Sequence, residues 1–219
     1  MRKILFVLPF FLSLGVVSCS NDGDSGSNEQ EIIVKPRTSI SDAAFEQVLV
    51  ELGIDDVVDG SVLTENVETV TSLVMNDKGI NSLEGIADFT MLDNLWVNDN
   101  QISSLNLSSN RALKFIYVDN NALTAIDISN LSSLEKLSVP GNILTQLDIS
   151  DSPALQLLDI KNNTLGAIDL SAIPNSSQLN TFAVENNPLT CIKVNGEILN
   201  DIPAQWTKDP EDSYALDCN

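Results

Sequence analysis

A chain of 219 residues with 31 acidic side chains against 11 basic ones carries a formal net charge of −20, which repels nucleic acid and anionic lipid and excludes both as general partners. It contains no histidine, which excludes His-based catalytic triads, His-ligated zinc and an imidazole general base. Length and charge together suit one elongated domain.

Arg2 and Lys3 precede an apolar run over residues 4–17, shorter than the roughly twenty residues that span a bilayer, and small residues follow it. The run reads as a signal peptide over residues 1–18. Val16-Val17-Ser18-Cys19 resembles a bacterial lipobox, which implies cleavage before Cys19 and lipidation of that cysteine. Residues 20–24, Ser-Asn-Asp-Gly-Asp, are similar to the acidic signals that send Bacteroidota lipoproteins to the outer face of the outer membrane. The resemblance therefore implies an outer-membrane lipoprotein on the extracellular face, with the periplasmic face as the alternative. The remainder of residues 19–38 is rich in Ser, Gly, Asn and Glu, the composition of a flexible acidic tether.

Ser41 and Asp42 offer an N-cap, Glu46 an acidic first turn, and Phe45, Val48, Leu49 and Leu52 the spacing of one buried helix face. A helix ending near Gly53 is predicted, inside an amino-terminal cap over residues 39–70. Asp55, Asp56 and Asp59 lie close together, but Asp59-Gly60 is an ordinary turn signal and the spacing matches no EF-hand loop.

From there one period governs the chain. Asn100, Asn121, Asn142 and Asn163 are 21 residues apart, as are Leu92, Leu113, Leu134 and Leu155, and the pair returns at Leu179 and Asn187 after a unit of 24. A unit of this length cannot bury its apolar edge alone and depends on its neighbours. The units LDNLWVNDNQISSLNLSSNRA, LKFIYVDNNALTAIDISNLSS and the three that follow resemble the leucine-rich repeat, LxxLxLxxNxL, most closely the 21-residue version of internalin-like proteins and of surface lipoproteins of Bacteroidota. The resemblance covers roughly residues 71–194. It implies an α/β repeat solenoid: short parallel strands on a concave face over residues 71–190, a helical amino-terminal cap, and a disulfide-closed carboxy-terminal cap over residues 191–219. An earlier unit, carrying Leu73, Met75, Ile80 and Leu83, is one residue longer and has Lys78 in the asparagine position, as suits a terminal coil.

Each column of the repeat has a physical task. Within Leu95-Trp96-Val97, Ile116-Tyr117-Val118 and Leu158-Asp159-Ile160 the period is two, so each unit supplies a strand with its aliphatic residues inward. Ile102, Leu123, Leu144, Leu165 and Leu189, with Leu105, Ile126, Leu147 and Ile168, are predicted to fill the core behind those strands. An asparagine amide carries donors and an acceptor, so the ladder is read as structural, satisfying backbone groups where each strand turns away. A second column, Asn106, Asp127, Asp148 and Asp169, each followed by an aliphatic residue and serine, is read as turn-forming, with calcium as the weaker alternative; no metal or cofactor is assigned. With Cys19 lipidated, Cys191 and Cys218 remain as a pair, and in an oxidising compartment a disulfide is expected, closing a cap that contains Trp206.

Catalysis has little to stand on. Glycosidase chemistry needs a carboxyl whose pKa a desolvating pocket has raised, whereas Asp119, Asp159 and Glu185 are placed on an open sheet, so no catalytic residue is assigned and the protein is read as a non-enzyme. Outward-pointing strand positions are free of the fold. They place Trp96, Phe115 and Tyr117 in one predicted aromatic patch, with Asn98, Asp119, Lys136, Ser138, Asp159 and Lys161 as its polar surroundings. Exposed aromatics are enriched at interface hot spots, while the bland alternative is cross-strand stacking or packing under the cap. The expectation is a monomeric, lipid-anchored surface protein that binds a protein or a carbohydrate ligand through its concave sheet, in adhesion or ligand capture. It would touch the membrane only through its anchor and bind no nucleic acid. The alternative is an envelope scaffold or assembly partner that uses its convex face or its cap.

Overall fold

The structure is a computed structural model and describes residues 34–218. The apolar run of residues 4–17, Cys19 and residues 20–24 lie outside the described residues. Within residues 72–183 the period-two segments become strands, Ser72–Val74, Asn94–Trp96, Phe115–Tyr117, Lys136–Ser138, Leu157–Asp159 and Thr181–Ala183, joined in chain order as one six-stranded parallel sheet. The register follows the repeat, so Leu73, Leu95, Ile116, Leu137, Leu158 and Phe182 stand in one row, all fully buried. Parallel strands need a crossover between them, and here each crossover is the rest of one coil. The fold is a parallel solenoid with turns of about 21 residues, as the spacing of the asparagines implies.

A second set of strands runs along the return side. Ser104–Asn106 pairs in parallel with Ala125–Asp127, and Ile168–Asp169, Ile192–Lys193 and Tyr214–Ala215 form a three-stranded sheet. The sequence reading treats this region only as core positions and turns. The extra strands follow from the same period, because coils in register bring equivalent backbone groups together: Leu107 N donates to Asp127 O and Leu170 N to Lys193 O, both at 2.8 Å. The core between the two walls holds Ile102, Leu123, Leu144, Leu165 and Leu189, and the return side adds Leu105, Leu147 and Ile168, with Ile126 only partly buried. Burying such a side chain stabilises by about 1.5–3 kcal/mol, and every coil gains it only from its neighbours.

Both ends are closed by different chemistry. At the amino end Asp42 caps the helix Ala43–Glu51, accepting from Ala44 N and Phe45 N, and Phe45, Val48 and Leu49 face the first coil. The helix stops at Leu52 because Gly53 takes φ +71°, as a left-handed terminator does. A strand Arg37–Ser39 pairs antiparallel with Ser61–Leu63, starting within the last two residues assigned to the tether. It is held there because Thr38 is buried and its hydroxyl donates to Asp88 Oδ2 at 2.6 Å. At the carboxy end Cys191 and Cys218 are joined by a disulfide with Cα atoms 5.8 Å apart. Inside that loop Trp206 packs edge-on against Phe182, ring centroids 5.2 Å apart, and its indole N–H donates to Leu179 O at 2.7 Å. The last coil's core is thereby covered.

Candidate binding face

The asparagine ladder sets the strand ends that carry the outer face. Asn142 Oδ1 accepts from Leu123 N at 2.9 Å, while its Nδ2 donates to Val118 O at 3.0 Å and Val139 O at 2.9 Å. Asn100, Asn121, Asn163 and Asn187 repeat this with one coil's offset. The residue before each, Asp99, Asn120, Gly141, Asn162 and Asn186, has positive φ, a conformation tolerated by Gly, Asn and Asp. Its sequence signal is the column of those three residue types, and it makes the chain leave the strand at the same angle in every coil.

Outward side chains then form a graded surface. Val74 is 51% exposed and Trp96 42% exposed, Tyr117 and Asp159 are half-buried, and Ser138 and Ala183 are covered. Ala183 is covered because its strand meets Thr207 of the carboxy-terminal cap through a parallel bridge. Ser138 is covered because it is small and stands between Tyr117 and Asp159 in register. The open, apolar part of the sheet is therefore its amino-terminal half.

The predicted patch resolves into two parts. Trp96 and Tyr117 meet edge to face, ring centroids 5.5 Å apart at 84°. Phe115 is set apart from that pair, half-buried beneath Lys136, whose Nζ lies 5.2 Å from the ring centroid. Around them Ser138 Oγ donates to Asp119 Oδ1 at 2.7 Å, Asn98 Oδ1 accepts from Asp119 N at 2.9 Å, and Lys161 pairs with Asp159 at 3.4 Å. The structure thus brings all nine residues onto one face and engages most of them with each other. Burial pushes the Asp119 carboxyl above the usual carboxylate range; the Ser138 hydroxyl opposes this, Asp159 and Asp99 add to the rise, and Lys161 offsets part of it.

The second column behaves as a row of turns. Asn106, Asp127, Asp148 and Asp169 each accept, through Oδ1, from the backbone N–H of the serine two residues on, at 2.8–3.0 Å. Asp169 also pairs with Lys193 at 3.0 Å. Among the described residues there is no cluster of three or more His, Cys, Asp or Glu placed to hold a metal. Asp59 accepts from Arg37 and from Ser61 N. Sequence reasoning passed over Asn110, fully buried on the return side, whose Nδ2 donates to Ile86 O and Phe89 O. Its signal is the column Asn110, Leu131, Ser152, Ile173, where a polar residue stands at an interior position next to a preceding turn that has no matching strand.

No family model matches the chain, and no curated protein matches it. Among solved structures it is similar to the functional domain of InlJ from Listeria monocytogenes, a domain that includes a cysteine ladder, with 28% identity over 74% of this chain and a TM-score of 0.63. The chain spans 38% of the length of that domain. Internalin C2 and the internalin InlF, both from Listeria monocytogenes str. 4b F2365, overlap more loosely: 18% and 16% identity over 78% and 80% of this chain and 94% and 71% of theirs, with TM-scores of 0.38 and 0.37. With its 21-residue coils, asparagine ladder and capped ends, the fold is a leucine-rich repeat solenoid, and it is similar to the fold of that InlJ domain.

Proposed function

We propose that the protein is a non-catalytic binding protein that engages a macromolecular ligand through the amino-terminal half of its six-stranded sheet. The observation that carries this is Trp96. A large aromatic is left 42% exposed at a position the repeat does not need, beside exposed Val74 and stacked on Tyr117. Exposed apolar surface of this kind opposes solubility and marks interfaces, whose energetic hot spots are enriched in Trp and Tyr. The stacking also stabilises the sheet, so stability and binding must be separated. Protein ligands are favoured over glycans because the aromatic surface is an edge-to-face pair rather than one flat platform for a sugar ring.

Screening the protein against purified matrix proteins and a glycan array identifies the ligand class. Trp96→Ala is then expected to weaken binding by at least about 2 kcal/mol, roughly thirtyfold, with the melting temperature lowered by only a few degrees. Undiminished binding by the Trp96→Ala, Tyr117→Ala double variant would overturn this reading.

The second part of the proposal is that Cys19 anchors the chain to the outer membrane, with the binding face presented outside the cell. It rests on the lipobox and on residues 20–24. Cys19→Ser is expected to move the protein from the detergent phase to the aqueous phase. Retention of the variant in carbonate-washed membranes is the result that removes the anchor from the account.

A further inference from the structure

We propose that the ligand of this face is a basic protein segment, an arginine or lysine side chain lying over Trp96 and Tyr117 with its charge toward Asp119 and Asp99. This rests on the reading that the aromatic half of the sheet is the binding face, and adds what its partner must present.

The argument is one of charge left over beside an exposed aromatic. The sheet face has two lysines near the patch, and both are engaged: Lys161 pairs with Asp159 at 3.4 Å, and Lys136 lies over Phe115. Lys114, at the start of its strand, pairs with Asp93 at 3.1 Å. By contrast Asp77, Asp99 and Asp119, at the same end of the three strands that carry Val74, Trp96 and Tyr117, are in no ion pair among the described residues. Asp119 is the innermost of them. Among the described residues its side chain accepts only from the Ser138 hydroxyl, on the strand next to Tyr117, with Lys161 nearby already paired to Asp159; it is half-buried, so its charge is poorly screened by water. A cation set on the face of Trp96 or Tyr117 gains from the ring quadrupole, and its approach to Asp119 and Asp99 adds direct attraction in a partly dry setting. An acidic or neutral segment gains neither. The chain's net charge of −20 draws basic segments toward the protein from a distance, and the aromatic pair fixes where one of their side chains comes to rest.

Panning a random dodecapeptide phage library on the full chain, then titrating the protein and its variants into fluorescein-labelled synthetic copies of the selected peptides and following their anisotropy, tests the proposal. Arg or Lys should be enriched in the selected peptides. Raising the salt from about 50 to about 500 mM should weaken them several-fold. Asp119→Asn with Asp99→Asn should weaken them at least tenfold at unchanged melting temperature, since asparagine can accept the Ser138 hydroxyl and the Asn120 amide in their place and already occupies the positive-φ column elsewhere. Loss of binding in Trp96→Ala, with peptides that lack basic residues and ignore the double Asn variant, overturns this inference and leaves the binding face standing. Peptides whose binding survives Trp96→Ala overturn both. A library that yields no basic binder also counts against the inference.

Discussion

One buried amide per coil does the work of joining coils. Asn142 answers Leu123 N on its own coil's predecessor side and two carbonyls, Val118 O and Val139 O, on two successive strands. Removing it leaves Leu123 N without a partner in a place that water does not reach, and leaves Val118 O and Val139 O with only the neighbouring amides of Asn121 and Asn163. Asn142→Ala is therefore expected to cost about 2–3 kcal/mol, seen as a lower urea midpoint, more than a typical surface substitution. Asn121, which is less buried, should cost less when truncated, and the comparison separates desolvation from the mere loss of a hydrogen bond. At this scale the sequence was fully legible for the ladder, because its period has no other explanation. It was less so for Asn110, whose amide serves a turn rather than a strand.

The amino-terminal cap depends on one carboxylate shared between two elements. Asp42 Oδ1 caps the helix Ala43–Glu51, and Oδ2 accepts from Asn81 N and Ser82 N of the first coil. Burial opposes its charge, yet the four N–H donors together hold its carboxyl below the ordinary 3.8. A depressed folded-state pKa stabilises the fold above the unfolded value, and that contribution disappears as the pH falls below about 3.8 and through the folded value. Asp42→Asn keeps an oxygen to cap the helix but sets an amide NH2 against Asn81 N and Ser82 N, so it is expected to lower stability by about 1–2 kcal/mol at neutral pH, with the gap to the parent closing under acid. Urea midpoints of both proteins at pH 7 and in strong acid check this, and a gap independent of pH contradicts it. The opposite cap is held covalently by Cys191–Cys218, and for a loop of this size chain entropy puts the stabilisation at roughly 3–4 kcal/mol. The two ends need such devices because each terminal coil has only one neighbour to pack on.

For the whole molecule, register matters more than any single contact. Deleting 21 residues, 134–154, places Asn163 where Asn142 stood and restores every column, so the shortened protein is expected to fold with a lower but still cooperative melting transition. Deleting 20, residues 134–153, shifts all later columns by one, turns inward residues outward, and should leave a chain without cooperative unfolding by circular dichroism. Equal behaviour of the two deletions would mean that the coils do not act as a register-locked stack. The proposed function belongs to this scale too, since the binding face exists only where strands from three consecutive coils, Ser72–Val74, Asn94–Trp96 and Phe115–Tyr117, lie side by side.

By itself the sequence determined the period, the inward columns, the asparagine ladder, the capping helix and the cysteine pairing. All of these are one-dimensional facts: a spacing, an alternation, a count. It also determined that Trp96, Phe115 and Tyr117 share a face, because side chains two apart on a strand do so and equivalent positions on successive coils align. Only the tertiary structure decided how exposed that face is. Ser138 and Ala183 occupy the same column as Trp96, yet one is hidden between larger neighbours and the other under the carboxy-terminal cap. The same holds for charge: Lys136 settles on Phe115 and Lys161 on Asp159, which leaves Asp119 and Asp99 outside any ion pair among the described residues. Burial and ion pairing depend on which long side chains reach each other across coils, and a spacing in the sequence sets where those side chains begin but not where they end.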